Sequence, residues 1–146
     1  MIITFTGHRT LTETETLYKE LVLALRASIP QSGTVSFYLG GYGMFDELCL
    51  RACREIKIEF PLCRICYVTP YYPQKTTHTE LSHYDESIYP PLETVPPRFA
   101  IHRRNRWMVE QADLVIAYVK YQGGAFQMLE YARKKEKAIL NLAQND

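Results

Sequence analysis

The chain begins with the stretch Ile2-Ile3-Thr4-Phe5-Thr6-Gly7-His8-Arg9, an apolar strand-like run that ends in a glycine turn. The same step from an apolar run to glycine recurs twice further along the chain. Val35–Leu39 leads to Gly40-Gly41-Tyr42-Gly43, and Leu114–Val119 leads to Gly123-Gly124. In a parallel α/β sheet the carboxyl ends of the strands share one edge, where glycine lets the backbone approach a ligand closely. The repeated step therefore predicts a parallel sheet with a ligand site along that edge.

Helical patterns alternate with these strand patterns over the rest of the chain. Such alternation is typical of a parallel sheet with helices on both faces. Right-handed crossovers then favour an α/β, three-layer Rossmann-like domain with a mainly parallel sheet of about five strands in the order 3-2-1-4-5. The predicted strands are Ile2–Thr6, Val35–Leu39, Leu62–Val68, Leu114–Val119 and Ala138–Leu142, and the predicted helices are Thr14–Ala27, Met44–Lys57, Arg104–Ala112 and Ala125–Lys135.

Length and charge limit the classes of function. A chain of 146 residues is close to the usual size of one domain, so a single domain spanning residues 1–146 is expected. Seventeen Lys and Arg residues against sixteen Asp and Glu residues leave a formal charge of +1, without the basic excess typical of nucleic-acid binding. Long nucleic acid is therefore not expected as a partner. The absence of a signal-like or membrane-length apolar segment predicts a cytoplasmic protein without a membrane partner.

A Tyr/Pro-rich stretch from Thr69 to Arg98 interrupts the regular pattern. Its prolines break long elements, and its length favours a loop or lid that folds over a site. Its tyrosines have the ring chemistry to stack on a base, but an ordinary packed loop or a subunit contact is the preferred interpretation. Its metal-ligand types match no defined spacing. The tyrosines are Tyr71, Tyr72, Tyr84 and Tyr89, and the metal-ligand types are His78, Glu80, His83 and Asp85.

The four cysteines raise the question of a zinc site. Cys63 and Cys66 have a ligand-like spacing, and Cys49 and Cys53 lie one helical turn apart. Residues three apart on a strand point to opposite faces, so Cys63 and Cys66 do not converge on one ion. We expect the cysteines to be small core residues and predict neither a metal nor a cofactor.

Five motifs together resemble the SLOG superfamily, which includes the DUF1273/YpsA-like proteins, the Lonely guy phosphoribohydrolases and the DNA-processing protein A domain. The resemblance extends from Ile2 to Leu142 and implies a Rossmann-like fold whose glycine loops bind nucleotides or nucleotide-derived ligands. The motifs are Thr6-Gly7-His8-Arg9, Gly40-Gly41-x-Gly43-x-Phe45-Asp46, Arg104-Asn105-Arg106-Trp107-Met108-Val109, Ala112-Asp113-Leu114-Val115-Ile116-Ala117, and Gly123-Gly124 with Glu130-Tyr131-Ala132.

The resemblance to the phosphoribohydrolase branch implies two catalytic residues, Arg104 and Glu130. A carboxylate such as Glu130 can stabilise the oxocarbenium-like state of N-glycoside hydrolysis, and Arg104 can hold a 5′-phosphate or orient Glu130. A solvated Glu130 and an exposed helix start at Arg104 are the structural alternatives. This sequence departs from the branch at three positions: Asn105 replaces lysine, Phe126 replaces glycine and Gln127 replaces threonine.

The preferred hypothesis is a sensor or binding protein for a nucleoside phosphate or an ADP-ribose-type ligand. The alternative is an N-glycosidase acting on nucleoside 5′-monophosphates, and a structural oligomer with an unused crevice is a third possibility. His8 is open to a turn-stabilising role, and Asp46 to helix capping or to a ribose contact. The apolar helices permit a homo-oligomer without requiring one. The predicted ligand-binding residues are Gly7, His8, Arg9, Gly40, Gly41, Gly43, Asp46, Gly123 and Gly124.

Overall fold

A six-stranded parallel sheet with helices on both faces forms the protein in the computed structural model, which describes residues 1–71 and 81–143. This confirms the predicted α/β, three-layer Rossmann-like class. The strands are β1 (Ile2–Gly7), β2 (Ser36–Leu39), β3 (Arg64–Val68), β4 (Glu86–Ile88), β5 (Leu114–Tyr118) and β6 (Ala138–Asn141), and the helices are α1 (Thr14–Ser28), α2 (Met44–Glu59), α3 (Ala100–Gln111) and α4 (Gly124–Lys134).

The strand order is β4-β3-β2-β1-β5-β6. The predicted order of the five longer strands is therefore confirmed, but the strand β4 was missed. It has only three residues, lies at the sheet edge and belongs to the proline-rich stretch, so it has no alternating pattern to mark it. The chain builds outward from β1 through β2, β3 and β4 and then returns to place β5 on the other side of β1. The junction of β1 and β5 is thus the topological switch point of the sheet.

Side chains of β1 alternate between the two helical layers. Ile3 and Phe5 belong to the apolar cluster formed with α1 and α2, and both are buried. Thr4 and Thr6 are also buried, and their side chains lie on the face of the sheet that carries α3 and α4. Thr4 Oγ1 donates to the Tyr38 carbonyl and approaches Met108 of α3, and Thr6 Oγ1 donates to the Ala125 carbonyl of α4. The period-two pattern of a strand therefore assigns one face of β1 to each layer.

The described part of the Tyr/Pro-rich stretch is attached to the sheet edge. Asp85 accepts a hydrogen bond from the Ile65 amide at 2.7 Å and pairs with Lys57 of α2 at 2.7 Å. The Tyr84 ring packs against Tyr67 with centroids 5.4 Å apart, which makes it a packed-loop residue. Tyr72, His78 and Glu80 lie outside the described residues, together with the rest of residues 72–80 of the predicted lid.

Helix α3 begins at Ala100, four residues earlier than predicted, after a short 3-10 turn at Pro97–Phe99. Arg104 therefore lies inside the helix and not at an exposed helix start. Its neighbours Arg103 and Arg106 are exposed, whereas Arg104 is buried together with Met108, one turn further on. Within residues 1–71 and 81–143, no helix combines the length and apolar character needed to cross a membrane.

Candidate functional site

A cleft of about 410 Å³ opens at the carboxyl ends of the strands, above the switch point between β1 and β5. Ligands of open α/β sheets bind in this position, because adjacent crossovers leave in opposite directions and part the loops there. Three turns, after β1, β2 and β5, and the inner face of α3 form its walls. The lining residues are Phe5, Thr6, Gly7, His8, Arg9, Thr10, Gly40, Tyr42, Asp46, Ile101, Arg104, Asn105, Met108, Tyr121, Gln122, Gly123, Gly124, Ala125 and Met128.

Most of the residues chosen from the sequence line this cleft. They come from three glycine turns that are far apart in sequence, from α3 and, for Asp46, from the first turn of α2. Gly41 and Gly43 are in the same β2–α2 turn but are not among the lining residues, nor is Glu130. The predicted residues that do line the cleft are Gly7, His8, Arg9, Gly40, Asp46, Arg104, Gly123 and Gly124.

Glu130 lies on the exposed side of α4 and forms an ion pair with Arg133, three residues further along the helix. Its ion-pair partner is thus not Arg104, and this placement corresponds to the solvated carboxylate that the sequence also allowed. None of the described residues of the Tyr/Pro-rich stretch lines the cleft either.

Arg104 is only 2% exposed and connects three parts of the site. Its Nη1 donates to the Val68 carbonyl at 2.7 Å and to the Gly40 carbonyl at 3.2 Å, and its Nε donates to Asn105 Oδ1 at 2.9 Å. Burial lowers the pKa of Arg104, and the nearby Asp46 opposes that shift. The guanidinium therefore places a positive charge beneath the cleft while holding the ends of β2 and β3 together.

Asp46 stabilises the turn between β2 and α2 by accepting hydrogen bonds from its amides. Its Oδ2 accepts a hydrogen bond from the Tyr42 amide at 2.9 Å, and the amides of Gly41 and Gly40 also stabilise its charge. Burial raises the pKa of Asp46 above its usual value, against these amides and the charge of Arg104. A side chain at the third helical position that returns to an amide before the helix resembles one half of a capping box. This is the capping role that the sequence allowed.

His8 is buried and its imidazole is held from two sides. Nε2 accepts a hydrogen bond from the Lys120 amide at 2.9 Å, so the ring is neutral with its proton on Nδ1. The ring of Tyr121 stacks parallel to it with centroids 3.7 Å apart, and Tyr118 meets it edge-on. His8 thus connects the turn after β1 to the turn after β5 across the switch point.

The His8 contacts predict a pH-dependent stability. Burial, with a smaller contribution from the positive charge of Lys120, lowers the folded-state pKa of His8 from the usual 6.5. The unfolded chain therefore takes up this proton at a higher pH than the folded chain. The stability that neutral His8 provides should be complete above about pH 6.5 and should decrease as the pH falls from there towards the folded-state pKa. Urea unfolding at a series of pH values measures this slope.

The variant His8→Gln keeps an acceptor for the Lys120 amide but does not titrate. The free energy of unfolding of this variant should fall less steeply between neutral and mildly acidic pH than that of the wild type. Because the chain has four histidines, only the difference between the two profiles reports on His8. Parallel profiles would show that His8 does not titrate differently in the folded and unfolded states.

The glycines of the site differ in what surrounds them. A Cβ on Gly7 would lie 2.3 Å from ring atoms of Phe45, one on Gly40 would lie 3.1 Å from the Arg104 guanidinium, and one on Gly43 would lie 3.0 Å from the Arg9 backbone. By contrast, a Cβ on Gly123 or Gly124 would meet nothing within 4 Å. At Gly7 protein atoms occupy the side-chain position, whereas a Cβ at Gly40 or Gly43 would be a tight fit, and the φ of +92° at Gly43 also favours glycine. Gly123 and Gly124 leave open space at the first turn of α4.

Two exposed tyrosines of the cleft were missed in the sequence. Tyr42 lies in the β2–α2 turn and Tyr121 in the β5–α4 turn, beside glycines that were chosen. Their position beside the glycines of two strand-to-helix turns was the sequence signal for them. Other lining residues that were not chosen as site residues include Thr10, Asn105, Met108, Gln122 and Met128.

The cysteines take no part in this cleft. All four are free and buried, and burial raises the pKa of each thiol. Such thiols behave as small core residues. In the part of the chain that the structure describes, no three His, Cys, Asp or Glu side chains form a group able to hold a metal ion.

The sequence matches no protein-family model and no curated protein. Solved structures share its fold. TM1055, a structural genomics target, is 14% identical with a TM-score of 0.61, over 94% of this chain and 71% of that one. The molybdenum cofactor carrier protein from Chlamydomonas reinhardtii is 15% identical with a TM-score of 0.62, over 97% and 76% of the two chains. Another structure of a Chlamydomonas Moco carrier protein is 14% identical with a TM-score of 0.59, over 97% of this chain and 75% of that one. These similarities show a Rossmann-like fold.

Proposed function

We propose that the protein binds a small anionic ligand of the nucleotide class, a nucleoside phosphate or an ADP-ribose-type molecule, in the switch-point cleft. The open first turn of α4 carries this proposal. Gly123 and Gly124 line the cleft, have no atoms where a side chain would stand, and expose backbone amides at the positive end of a helix. The protein acts as a sensor or binding protein, and it is a member of the SLOG superfamily or a close relative.

Positive charge elsewhere in the cleft supports an anionic ligand. Arg104 is buried beneath the cleft and the exposed Arg9 stands at its margin, against a single lining carboxylate, Asp46, among the described residues. A buried guanidinium attracts an anion more strongly than an exposed one, because water screens it less. A fold neighbour is a molybdenum cofactor carrier protein, and this supports small-molecule binding by a chain of this fold.

Binding without turnover is preferred over N-glycoside hydrolysis. The hydrolase hypothesis needs a carboxylate beside the sugar, and Glu130 is paired with Arg133 on the exposed side of α4. The lining carboxylate Asp46 accepts amide hydrogen bonds of its own turn and has a raised pKa. Arg104 is committed to two carbonyls and to Asn105. A ligand can therefore be held here by charge and amides while the group proposed for catalysis remains outside.

Blocking the open turn tests the binding site. The variant Gly124→Leu places a side chain at the first turn of α4, where the structure has free space. We expect it to weaken binding of the tightest ligand among nucleoside 5′-monophosphates, NAD and ADP-ribose by at least about tenfold, or 1.4 kcal/mol. Isothermal titration calorimetry measures the affinity, and thermal unfolding checks the fold.

The matched control is Gln111→Leu, which adds the same side chain to an exposed position at the end of α3 outside the cleft. It should leave the affinity unchanged. If Gly124→Leu binds as tightly as the wild type, the ligand does not use the first turn of α4. Free-base release measured in the same samples decides between binding and hydrolysis: release that disappears in Glu130→Gln would establish the hydrolase alternative.

A further inference from the structure

Tyr121 presents a fixed aromatic surface at the mouth of the cleft. It lines the cleft and is 59% exposed, although one face of its ring is covered by the parallel ring of His8 at 3.7 Å. An exposed tyrosine ordinarily samples several rotamers, and the stack on a buried residue restricts this freedom. The face of Tyr121 that points away from His8 is thus the accessible one.

The support beneath Tyr121 is itself rigid. His8 is buried, and its Nε2 accepts from the Lys120 amide, the residue directly before Tyr121. Tyr118, at the end of β5, forms a T-shaped ring pair with His8, with centroids 6.3 Å apart. The imidazole therefore fixes both the backbone and the ring of the β5–α4 turn. A surface fixed in this way loses little conformational entropy when a second ring stacks on it.

The aromatic surface is close to the proposed anion position. Tyr121 and Gly124 are three Cα–Cα steps apart in the chain, which limits their Cα separation to about 11 Å. A small ligand with a planar ring at one end and a phosphate at the other can therefore contact both. Tyr42, the other exposed tyrosine of the cleft, lies in a different turn, and the Arg9 guanidinium stands over its ring at 5.3 Å.

From this arrangement we infer that Tyr121, supported by His8, is the stacking platform for the planar heterocycle of the ligand. The inference rests on the proposed function and deepens it, because it assigns the residue that holds the base of the ligand. A π-platform accepts any base, so purine and pyrimidine nucleotides both bind, and recognition of one base depends on other residues.

Calorimetric titration with the four common nucleoside 5′-monophosphates and with ribose 5-phosphate tests this inference. Wild-type protein should bind at least one nucleotide more tightly than ribose 5-phosphate, which has the phosphate and sugar but no base. Tyr121→Ala should weaken nucleotide binding by about 5- to 150-fold, the range for one stacked base, and leave the ribose 5-phosphate affinity unchanged. Tyr121→Phe should keep the wild-type preference.

The matched control is Phe99→Ala, which removes another exposed aromatic ring that does not line the cleft, and it should leave nucleotide binding unchanged. If Tyr42→Ala weakens nucleotide binding and Tyr121→Ala does not, the platform is wrongly assigned. If ribose 5-phosphate binds the wild type as tightly as every nucleotide does, the anion site stands and the stacking inference fails. If none of these phosphates binds the wild type, and neither NAD nor ADP-ribose binds it, the proposed function fails and the inference fails with it.

Discussion

Gly7→Ala is expected to lower the free energy of unfolding by about 3 kcal/mol, near the upper end of the usual cost of overpacking a core. The added Cβ would lie 2.3 Å from two ring atoms of Phe45 and 2.8 Å from its Cβ. Turning the Phe45 ring does not remove the last contact, because that atom is attached to the α2 backbone. The first turn of α2 must therefore move away from the end of β1, where Gly7 pairs with Tyr118. Urea unfolding followed by circular dichroism measures the loss.

The matched control is Gly124→Ala, a glycine of the same cleft with nothing within 4 Å of the added carbon. Its stability should be unchanged or should increase by less than about 1 kcal/mol, since alanine restricts the unfolded chain. The two variants separate two reasons for glycine at a strand end. Equal stability of Gly7→Ala and wild type would mean that α2 accommodates the methyl group and that packing does not require Gly7.

Arg104→Met is the second substitution with a large expected effect, a loss of about 3 kcal/mol in the free energy of unfolding. Methionine fills much of the volume but leaves the carbonyls of Val68 and Gly40 without their donor, and each buried unpaired group costs about 1–3 kcal/mol. Removal of the charge also withdraws the favourable field that Arg104 exerts on Asp46. Equilibrium unfolding in urea measures the effect.

Arg104→Lys is the companion variant, because its ammonium retains the charge and can donate to a carbonyl. It should lose less stability than Arg104→Met, although it lacks the Nε that reaches Asn105. If Arg104→Met unfolds like the wild type, the buried hydrogen bonds contribute no net stability, and the arginine serves the ligand alone. Ligand titration of Arg104→Lys then shows whether a point charge replaces the planar guanidinium at this position.

The surroundings of the glycines distinguish those that packing explains from those that leave room for a ligand. Gly7, Gly40 and Gly43 were chosen from the sequence as ligand-facing, and each has a packing reason for the absence of a side chain. By contrast, Gly123 and Gly124 leave open space. The proposed ligand site is accordingly smaller than the set of turns that predicted it, and it is centred on the β5–α4 turn.

Local pattern was sufficient for the sheet and for the edge that carries the cleft. Apolar runs that end in glycine identify strands and their carboxyl ends, and the alternation with helices permits few topologies, so the order of five strands followed. The edge strand β4 was not predicted, because three residues in a proline-rich segment are too few to show the alternating pattern of a strand. The start of α3 was also predicted four residues too late. The helical face that buries Arg104 together with Met108 was therefore not recognised.

What the sequence determined by itself was the fold class, the strand order around β1 and the location of a cleft at the switch point, because short-range periodicity and chain direction control these features. Tertiary structure alone decided which side chains meet there. Phe45 fills the space beside Gly7, Arg104 reaches the end of β2, and Tyr121 stacks on His8. Each of these contacts joins residues that are distant in the chain, and no local pattern records the packing of one element against another.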